Sequence, residues 1–412
     1  MDQGVLSGAN FIVGVLIARN TGKEEYGAYV LAFSIFQFIA SIHSALVSNP
    51  AMVFIPRKEG DELRGFARAV ATISFCLSIT AGIAVMLSAR LLVEGRQEIG
   101  YDALIAMSIA LPFGQTYELF RRLSFARLRM GRVIMIDSLY AGTLVVVVAT
   151  ILGHSSWLQE MDPEMGRGSF AFYAIGGAGL SASIVGGLFD RRLFAFTQKK
   201  FRDSAVEIWD FAKWGIGNAV ISLAGPQVVV LAVSGLAGLD QTARYEASRL
   251  LCGPVQVAIF ALGNVILVRV SSILRTRSIS DARVFAARFL GLGLAVFCVY
   301  FLFVYFWFED LIKLTIGPQY LDEKVSAMVF AVYYLLAWVN AVLASLANGV
   351  QKPRITFWSV VTNAVVVVPA TMLLVPSYGA LGGVLSLVVG QGTAAIVLWA
   401  GVARTEREMS IG

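Results

Sequence analysis

The chain has 412 residues, of which 57% are hydrophobic and only 15% are charged, and its mean hydropathy is +0.73. Because soluble domains carry about 25% charged residues, this composition cannot cover a water-exposed surface of this size. It excludes an ordinary soluble enzyme, a disordered protein and a nucleic-acid-binding protein, and it indicates a chain that crosses a membrane several times. The three cysteines lie in apolar runs and the two histidines stand far apart, so we expect no disulfide framework, no metal site and no cofactor.

Stretches without Asp, Glu, Lys or Arg mark the predicted membrane-spanning helices, because a charge at the bilayer centre costs about 2.5–3.5 kcal/mol. In chain order, these stretches are residues 3–18, 26–56, 69–89, 103–117, 138–159, 168–189, 214–239, 250–268, 289–308, 325–351 and 355–403. The last stretch is too long for one helix of about 20 residues. It contains the turn signal Val375-Pro376-Ser377-Tyr378-Gly379 and therefore predicts two helices. The sequence thus predicts an all-α integral membrane protein with twelve transmembrane helices.

The distribution of basic residues predicts the orientation of these helices. With the N-terminus placed in the cytoplasm, 24 of the 33 Lys and Arg residues fall in the predicted inner loops. Cytoplasmic loops carry such an excess, so we expect both termini on the cytoplasmic side. The basic loops also explain the net charge of +6, because they face an anionic lipid leaflet. Membrane lipids are therefore an expected partner, and nucleic acid is not.

The chain also divides into two predicted halves. The longest predicted inner loop, residues 190–213, mixes aromatic and basic side chains and is typical of an amphipathic linker at the membrane surface. A plain solvated loop is the alternative. A turn containing Gly, an acid and Tyr follows both the first and the seventh span, which favours a repeat. We therefore predict two pseudo-symmetric six-helix bundles, residues 1–189 and 214–412, joined by the linker 190–213.

A family resemblance rests on residues near the start of each half. Residues 2–11 (DQGVLSGANF), 16–19 (LIAR) and 22–27 (GKEEYG) surround the first span. The second half carries Gly238-Leu239, then residues 245–250 (YEASRL) and Pro254. This pattern resembles the polysaccharide-transporter branch of the multidrug/oligosaccharidyl-lipid/polysaccharide exporter superfamily. The number of spans, the two halves and the short loops are similar to that family along the whole chain.

The resemblance implies a fold, a function and a location. It implies two six-helix bundles around a central cavity, working by alternating access. Its members include flippases that move a polyprenyl-diphosphate-linked oligosaccharide across the bacterial cytoplasmic (inner) membrane for O-antigen or exopolysaccharide biosynthesis. The polyprenyl-linked oligosaccharide is then the expected substrate, and the polysaccharide polymerase and glycosyltransferases of the same pathway are further expected partners.

Two arginines at predicted outer helix ends are candidates for binding the substrate phosphates, because guanidinium binds phosphate bidentately. Arg19 closes the first span, and Arg249 opens the eighth. Arg19 has the alternative role of a snorkelling anchor of its helix end. Glu246 lies three residues before Arg249 on the same helix face, so a local ion pair is the alternative there.

Polar residues within the spans are candidates for lining the cavity. Amide side chains suit sugar hydroxyls, but they also bridge helices by hydrogen bonds. These candidates are Asn10, Gln37, Gln227 and Asn264, with Asn218 and Asn363 as further amides. His43 lies deep in the second span near Gln37, and its alternatives are proton coupling and simple packing.

Two other functions are open. A multidrug or cation antiporter of the same superfamily would use intramembrane acids, and Glu118 and Asp137 lie only near span ends, close to arginines. A membrane-embedded polysaccharide polymerase or ligase would need a large outer loop or a glycosyltransferase motif. The longest outer segment is only about residues 160–167, and the sequence carries no nucleotide-binding loop, zinc-protease motif or nucleophile elbow. We therefore predict that the protein is not an enzyme.

Overall fold

The computed structural model describes residues 2–92, 98–153, 167–191, 193–194, 201–223, 225–276, 278–350 and 352–411. Within these ranges every regular element is a helix, which confirms the predicted all-α class. The chain forms two compact units, Met1–Leu223 and Ala224–Gly412.

The first unit contains eight described helices and one π-helical turn. In order they are α1 (Asp2–Asn20), α2 (Lys23–His43), the π-turn (Ser44–Ser48), α3 (Asn49–Phe54), α4 (Gly60–Leu92), α5 (Glu98–Ala126), α6 (Met130–Gly153), α7 (Arg167–Asp190) and α8 (Phe201–Leu223). Helix α5 packs on α4 and α7, and α6 packs on α7 and α1.

The second unit contains seven described helices. They are α9 (Pro226–Ala237), α10 (Leu239–Leu250), α11 (Gly253–Thr276), α12 (Ile279–Phe306), α13 (Phe308–Leu314), α14 (Lys324–Gly349) and α15 (Pro353–Ile411). Helix α14 packs on α11, α12 and α15, and α9 packs on α15.

These helices account for the twelve predicted spans. In the described ranges, eight helical segments are long and apolar enough to cross a membrane, and α9 is a shorter apolar helix. Helix α15 contains the last two predicted spans, while α1 and α5 cover the predicted spans 3–18 and 103–117. Of the predicted span 214–239, helix α8 covers 214–223 and helix α9 covers 226–237. The predicted all-α membrane fold with two bundles is confirmed, and the described helices are compatible with twelve spans.

The turn predicted before Gly379 is a sharp break inside α15. Gly379 has a φ of 55°, a conformation that glycine adopts without the steric cost of a Cβ atom. The backbone N–H of Ala380 then donates to Oε1 of Gln241 at 3.0 Å, so a side chain of α10 satisfies a donor that the break sets free.

A π-turn interrupts the second span in a way that the α-helical period did not predict. Pro50 has no N–H, so the carbonyl of Leu46 loses its usual partner four residues later. The N–H of Asn49 instead donates to the carbonyl of Ser44, five residues earlier. The turn rotates the side chains after His43 relative to those before it.

The connection between the seventh and eighth predicted spans differs from the prediction. We expect an outer turn from Ser234 through Asp240 to Tyr245 before the eighth span opens at Glu246 and Arg249, but after the turn at Gly238 the helix α10 begins already at Leu239. Two local ion pairs stabilise this polar helix: Arg244 Nε contacts Asp240 at 2.8 Å and Arg249 Nη2 contacts Glu246 at 2.6 Å. Both pairs have helical spacing. The charged residues of this segment, which are unfavourable in a membrane span, therefore still form a helix.

Helix α8 is attached to the first unit through a buried lysine. Lys58 Nζ lies 2.7 Å from Glu62 and 2.9 Å from Glu207 of α8. Burial lowers the pKa of Lys58, but its hydrogen bonds with both carboxylates outweigh burial and raise the pKa above its ordinary value. The residues of the predicted linker from 201 onward are thus helical, while residues 192 and 195–200 lie outside the described ranges. The division into residues 1–189, 190–213 and 214–412 stays a prediction.

Small residues let α7 approach α5 closely. A Cβ atom added to Gly179 would lie 2.8 Å from the backbone carbonyl of Phe113, whereas one added to Gly177 would meet nothing within 4 Å. Close backbone approach through small residues is the usual packing of membrane helices.

We therefore expect Gly179→Ala to lower the thermal unfolding midpoint of the detergent-purified protein, since overpacking costs about 1–3 kcal/mol. Gly177→Ala, two residues away on the same helix, is the matched control and should leave the midpoint unchanged or raise it, because alanine favours helix. Equal midpoints for the two variants would contradict this close approach.

Candidate functional site

Two predicted candidates in the first unit are exposed amides at helix midpoints. Asn10 lies halfway along α1, and Gln37 lies near the middle of the apolar segment Lys23–Arg57. Both side chains are exposed, and neither has a hydrogen bond to the described residues. An unpaired amide in hydrocarbon costs roughly 2–7 kcal/mol. This cost favours a water-accessible surface over contact with lipid, and the role of both residues in lining a cavity stays a prediction.

His43 occupies a different environment from Gln37. Its side chain is 0% exposed, and its Nε2 lies 2.7 Å from the hydroxyl of Ser74 on α4. Its Nδ1 is buried without a partner among the described residues. This burial between α2 and α4 favours the packing interpretation over direct contact with a substrate.

Arg19 lies in the last turn of α1 with an exposed side chain. Arg19 can anchor the helix end or bind a substrate phosphate, and both roles require this position. The structure therefore leaves the two roles open.

Arg249 forms the ion pair that the sequence suggested as the alternative to substrate binding. Its Nε and Nη2 donate to the two carboxylate oxygens of Glu246 at 2.8 and 2.6 Å, which makes the pair bidentate. The side chain of Glu246 is only 12% exposed, whereas that of Arg249 is 34% exposed. The pair is neutral as a whole, and the exposed part of the guanidinium is the part left for a ligand.

The pair belongs to a larger group of polar side chains, which we call the polar cluster of the second unit. Arg249 Nη1 donates to Gln256 Oε1 at 3.3 Å, and the hydroxyl of Tyr334 donates to the same oxygen at 3.2 Å. The Tyr334 ring contacts Tyr333, with ring centres 4.9 Å apart. The cluster comprises Glu246, Arg249, Gln256, Tyr333 and Tyr334.

A second amide contact lies between α14 and α15. Asn340 Nδ2 donates to the backbone carbonyl of Gln391 at 3.0 Å and also contacts the Gln391 side-chain oxygen. The sequence analysis did not select Gln256, Asn340 or Gln391. The signal for Gln256 was its spacing of seven from Arg249, which places both on one helix face if the helix continues through residue 252.

The remaining predicted amides are placed only in part. Gln227 lies in the first turn of α9 and is half-buried. Asn264 lies within α11 and Asn218 within α8, but their side chains are outside the described part. Asn10, Arg19, Gln37 and His43 thus belong to the first unit, and Gln227, Arg249 and Asn264 to the second.

The buried acids are neutralised by neighbours. Asp137 is 1% exposed and accepts from the hydroxyl of Tyr117 at 2.7 Å and from Arg121 Nε at 3.1 Å. Glu118 contacts both Arg121 and Arg122. These are the boundary ion pairs that the arginines near these acids suggested. In the described part of the chain, His, Cys, Asp and Glu side chains form no group of three or more that would hold a metal ion.

The sequence matches no family model and no curated protein. Its fold, in contrast, matches solved transporters. An inward-facing multidrug resistance MATE family transporter of the MOP superfamily has a TM-score of 0.72 at 15% identity, over 98% of this chain and 94% of the other. The outward-facing conformation of such a transporter has a TM-score of 0.64 at 14% identity, over 99% and 93%.

A third neighbour is a MOP superfamily transporter from Pyrococcus furiosus, for which a reverse polarity of the binding pocket suggests a different function. It has a TM-score of 0.63 at 13% identity, over 98% of this chain and 92% of the other. At such identities the likeness shows the fold alone: this multi-pass membrane protein has the fold of the MATE transporters of the MOP superfamily.

The ion pair of the polar cluster predicts that losing Arg249 destabilises the protein more than losing Glu246. Arg249→Gln leaves the nearly buried Glu246 carboxylate uncompensated, which costs about 1–3 kcal/mol. Glu246→Gln leaves a longer and more exposed cation that reaches water, so it should cost less. The double variant should restore most of the loss from Arg249→Gln when thermal unfolding midpoints are compared. Strictly additive losses would show that the two side chains do not stabilise each other.

Proposed function

We propose that this protein is a secondary transporter that moves a solute across the membrane by alternating access. The observation that carries the proposal is the fold likeness to an inward-facing MATE transporter over 98% of the chain. The exposed mid-helix amides Asn10 and Gln37 support it, because they supply polar contacts where lipid would penalise them.

Our first candidate for the solute is a small amphipathic molecule, as in multidrug export. Two of the structural neighbours are multidrug resistance transporters. The polar cluster supports this candidate, since its ion pair is neutral and the half-buried ring of Tyr333 adds apolar surface beside it. Such a mixture suits ligands with one apolar body and a few polar groups.

Our second candidate is the lipid-linked oligosaccharide, which is favoured by the resemblance of residues 2–27 and 238–254 to the polysaccharide transporters. Arg19 in the first unit or the exposed part of Arg249 in the second would then bind a phosphate of the diphosphate, and amides within each unit would bind sugar hydroxyls. In this case glycosyltransferases would supply the substrate at the inner leaflet, a polymerase would use it outside, and both termini would lie in the cytoplasm.

Reconstitution of the full chain into liposomes tests both candidates. One arm measures ethidium uptake under an imposed proton or sodium gradient. The other measures transport of a fluorescent polyprenyl-diphosphate oligosaccharide between the two leaflets. An impermeant reductant quenches the fluorophore in the outer leaflet, so transported molecules are those that become protected from it. We expect transport in one arm, and Gln37→Leu should reduce it about tenfold, since a lost hydrogen bond to a polar ligand costs about 1–1.5 kcal/mol.

Leu87→Ala is the control, because Leu87 is an exposed apolar residue of α4 and its truncation should leave transport unchanged. Arg249→Lys separates the two candidates further. It should impair diphosphate transport more than ethidium transport, because lysine lacks the planar fork of arginine. Folded protein that moves neither probe faster than protein-free liposomes would overturn the proposed function.

A further inference from the structure

Three arginines surround one buried carboxylate where α5, α6 and α7 end or begin. Asp190 closes α7, and its Oδ1 lies 2.7 Å from Arg127, 3.5 Å from Arg132 and 3.8 Å from Arg129. We call Arg127, Arg129 and Arg132 the arginine trio. Arg132 also donates to the backbone carbonyl of Phe189 at 3.1 Å, and its guanidinium lies over the Phe189 ring.

The charges of this group do not balance within the described residues. One carboxylate faces three guanidinium groups, which leaves a formal excess of two positive charges. Burial lowers the pKa of Arg129, and repulsion from Arg127 and Arg132 lowers it further. Repulsion of this kind is relieved by an anion from outside the group.

The excess positive charge is turned outward. The Asp190 side chain is 1% exposed, whereas the three arginine side chains are 24% to 36% exposed. The second carboxylate oxygen, Oδ2, is buried and has no hydrogen-bond partner among the described residues. An approaching ligand therefore meets guanidinium groups and not the carboxylate.

Large apolar side chains border the trio. Leu128, between Arg127 and Arg129, is 80% exposed and has a φ of 56°. This left-handed conformation is uncommon for leucine and directs an apolar side chain outward beside the arginines. Met130 and Ile134 at the start of α6 are also exposed, at 46% and 52%. The surface thus combines cationic and apolar side chains between residues 127 and 134.

The depth of this surface matches the lipid headgroups. Met130 is the first residue of one apolar segment, Met130–Ile151, and Asp190 is the last of another, Gly168–Asp190. The trio therefore lies where both helices leave the hydrocarbon, at the side that the basic residues predict to be cytoplasmic.

We propose that the arginine trio binds the phosphate of an anionic bilayer phospholipid, with Leu128 and its apolar neighbours contacting the acyl chains. Guanidinium groups recognise the phosphate by charge-assisted hydrogen bonds. The exposed apolar border distinguishes this ligand from a free phosphate ion, which would gain nothing from leucine or methionine. The site lies within the first unit and does not depend on which solute the protein transports.

The test is native mass spectrometry of the full detergent-purified chain, titrated with dioleoylphosphatidylglycerol and, separately, with dioleoylphosphatidylcholine. We expect tighter binding of the anionic lipid. Arg129→Gln is the informative variant, because Arg129 is the farthest of the trio from Asp190 and its removal leaves two arginines on the carboxylate. It should weaken phosphatidylglycerol binding about fivefold, equivalent to about 1 kcal/mol for one interfacial cation.

Two further variants keep the test decisive. Arg64→Gln removes one positive charge from another predicted cytoplasmic turn, where Arg64 pairs with Asp61, and should leave lipid binding unchanged. Leu128→Gly should weaken lipid binding while raising the unfolding midpoint, because glycine accepts the left-handed conformation. Equal affinity for the two lipids, equal losses for Arg64→Gln and Arg129→Gln, or full displacement of the lipid by millimolar inorganic phosphate would each overturn the proposal.

Discussion

The structure depends on the neutralisation of charge next to hydrocarbon. An isolated ion in apolar surroundings is so costly that charged side chains persist there only when they are paired. The acids at helix boundaries follow this constraint: Asp137 lies between Tyr117 and Arg121, and Glu246 binds Arg249 through both oxygens. Because they are paired, these charged residues can lie inside helices that border the hydrocarbon.

The same constraint shapes the proposed function. Because the buried acids are occupied by arginines, the proposed transport would depend largely on neutral polar groups within each unit. Asn10 and Gln37 supply such groups in the first unit, and the amide and tyrosines of the polar cluster supply them in the second. Excess positive charge is concentrated instead in the arginine trio, at the level of the lipid headgroups. Under the two proposals, solute recognition and lipid recognition therefore use different chemistry.

The membrane helices were predictable because the lipid hydrocarbon disfavours a charged side chain at every position of a span. Each span therefore appears in the sequence as a continuous stretch without charged residues. The break at Gly379 was predictable for a similar reason, since proline and glycine act within a few residues. The first half of helix α10 was not predictable, because Arg244 is held by Glu323, which lies 79 residues away in the sequence. The choice between the alternatives for His43 was not predictable either, because its imidazole contacts Ser74 of α4, which lies 31 residues away in the sequence.

The candidate site was predictable only in its residue types. Polar side chains inside spans identified Asn10, Gln37 and Arg249, but the sequence does not show whether an arginine meets a ligand or its own helix. Tertiary contacts decide that, such as the contact between Tyr334 and Gln256.

Cysteine accessibility tests alternating access most directly, with Gln37→Cys introduced into a background lacking Cys76, Cys252 and Cys298. The account predicts labelling by an impermeant maleimide both in intact cells and in inside-out vesicles, whereas Ile83→Cys, at an exposed apolar position inside the predicted span 69–89, should be labelled in neither. Labelling of Gln37→Cys from one side only, or from neither side, would contradict it.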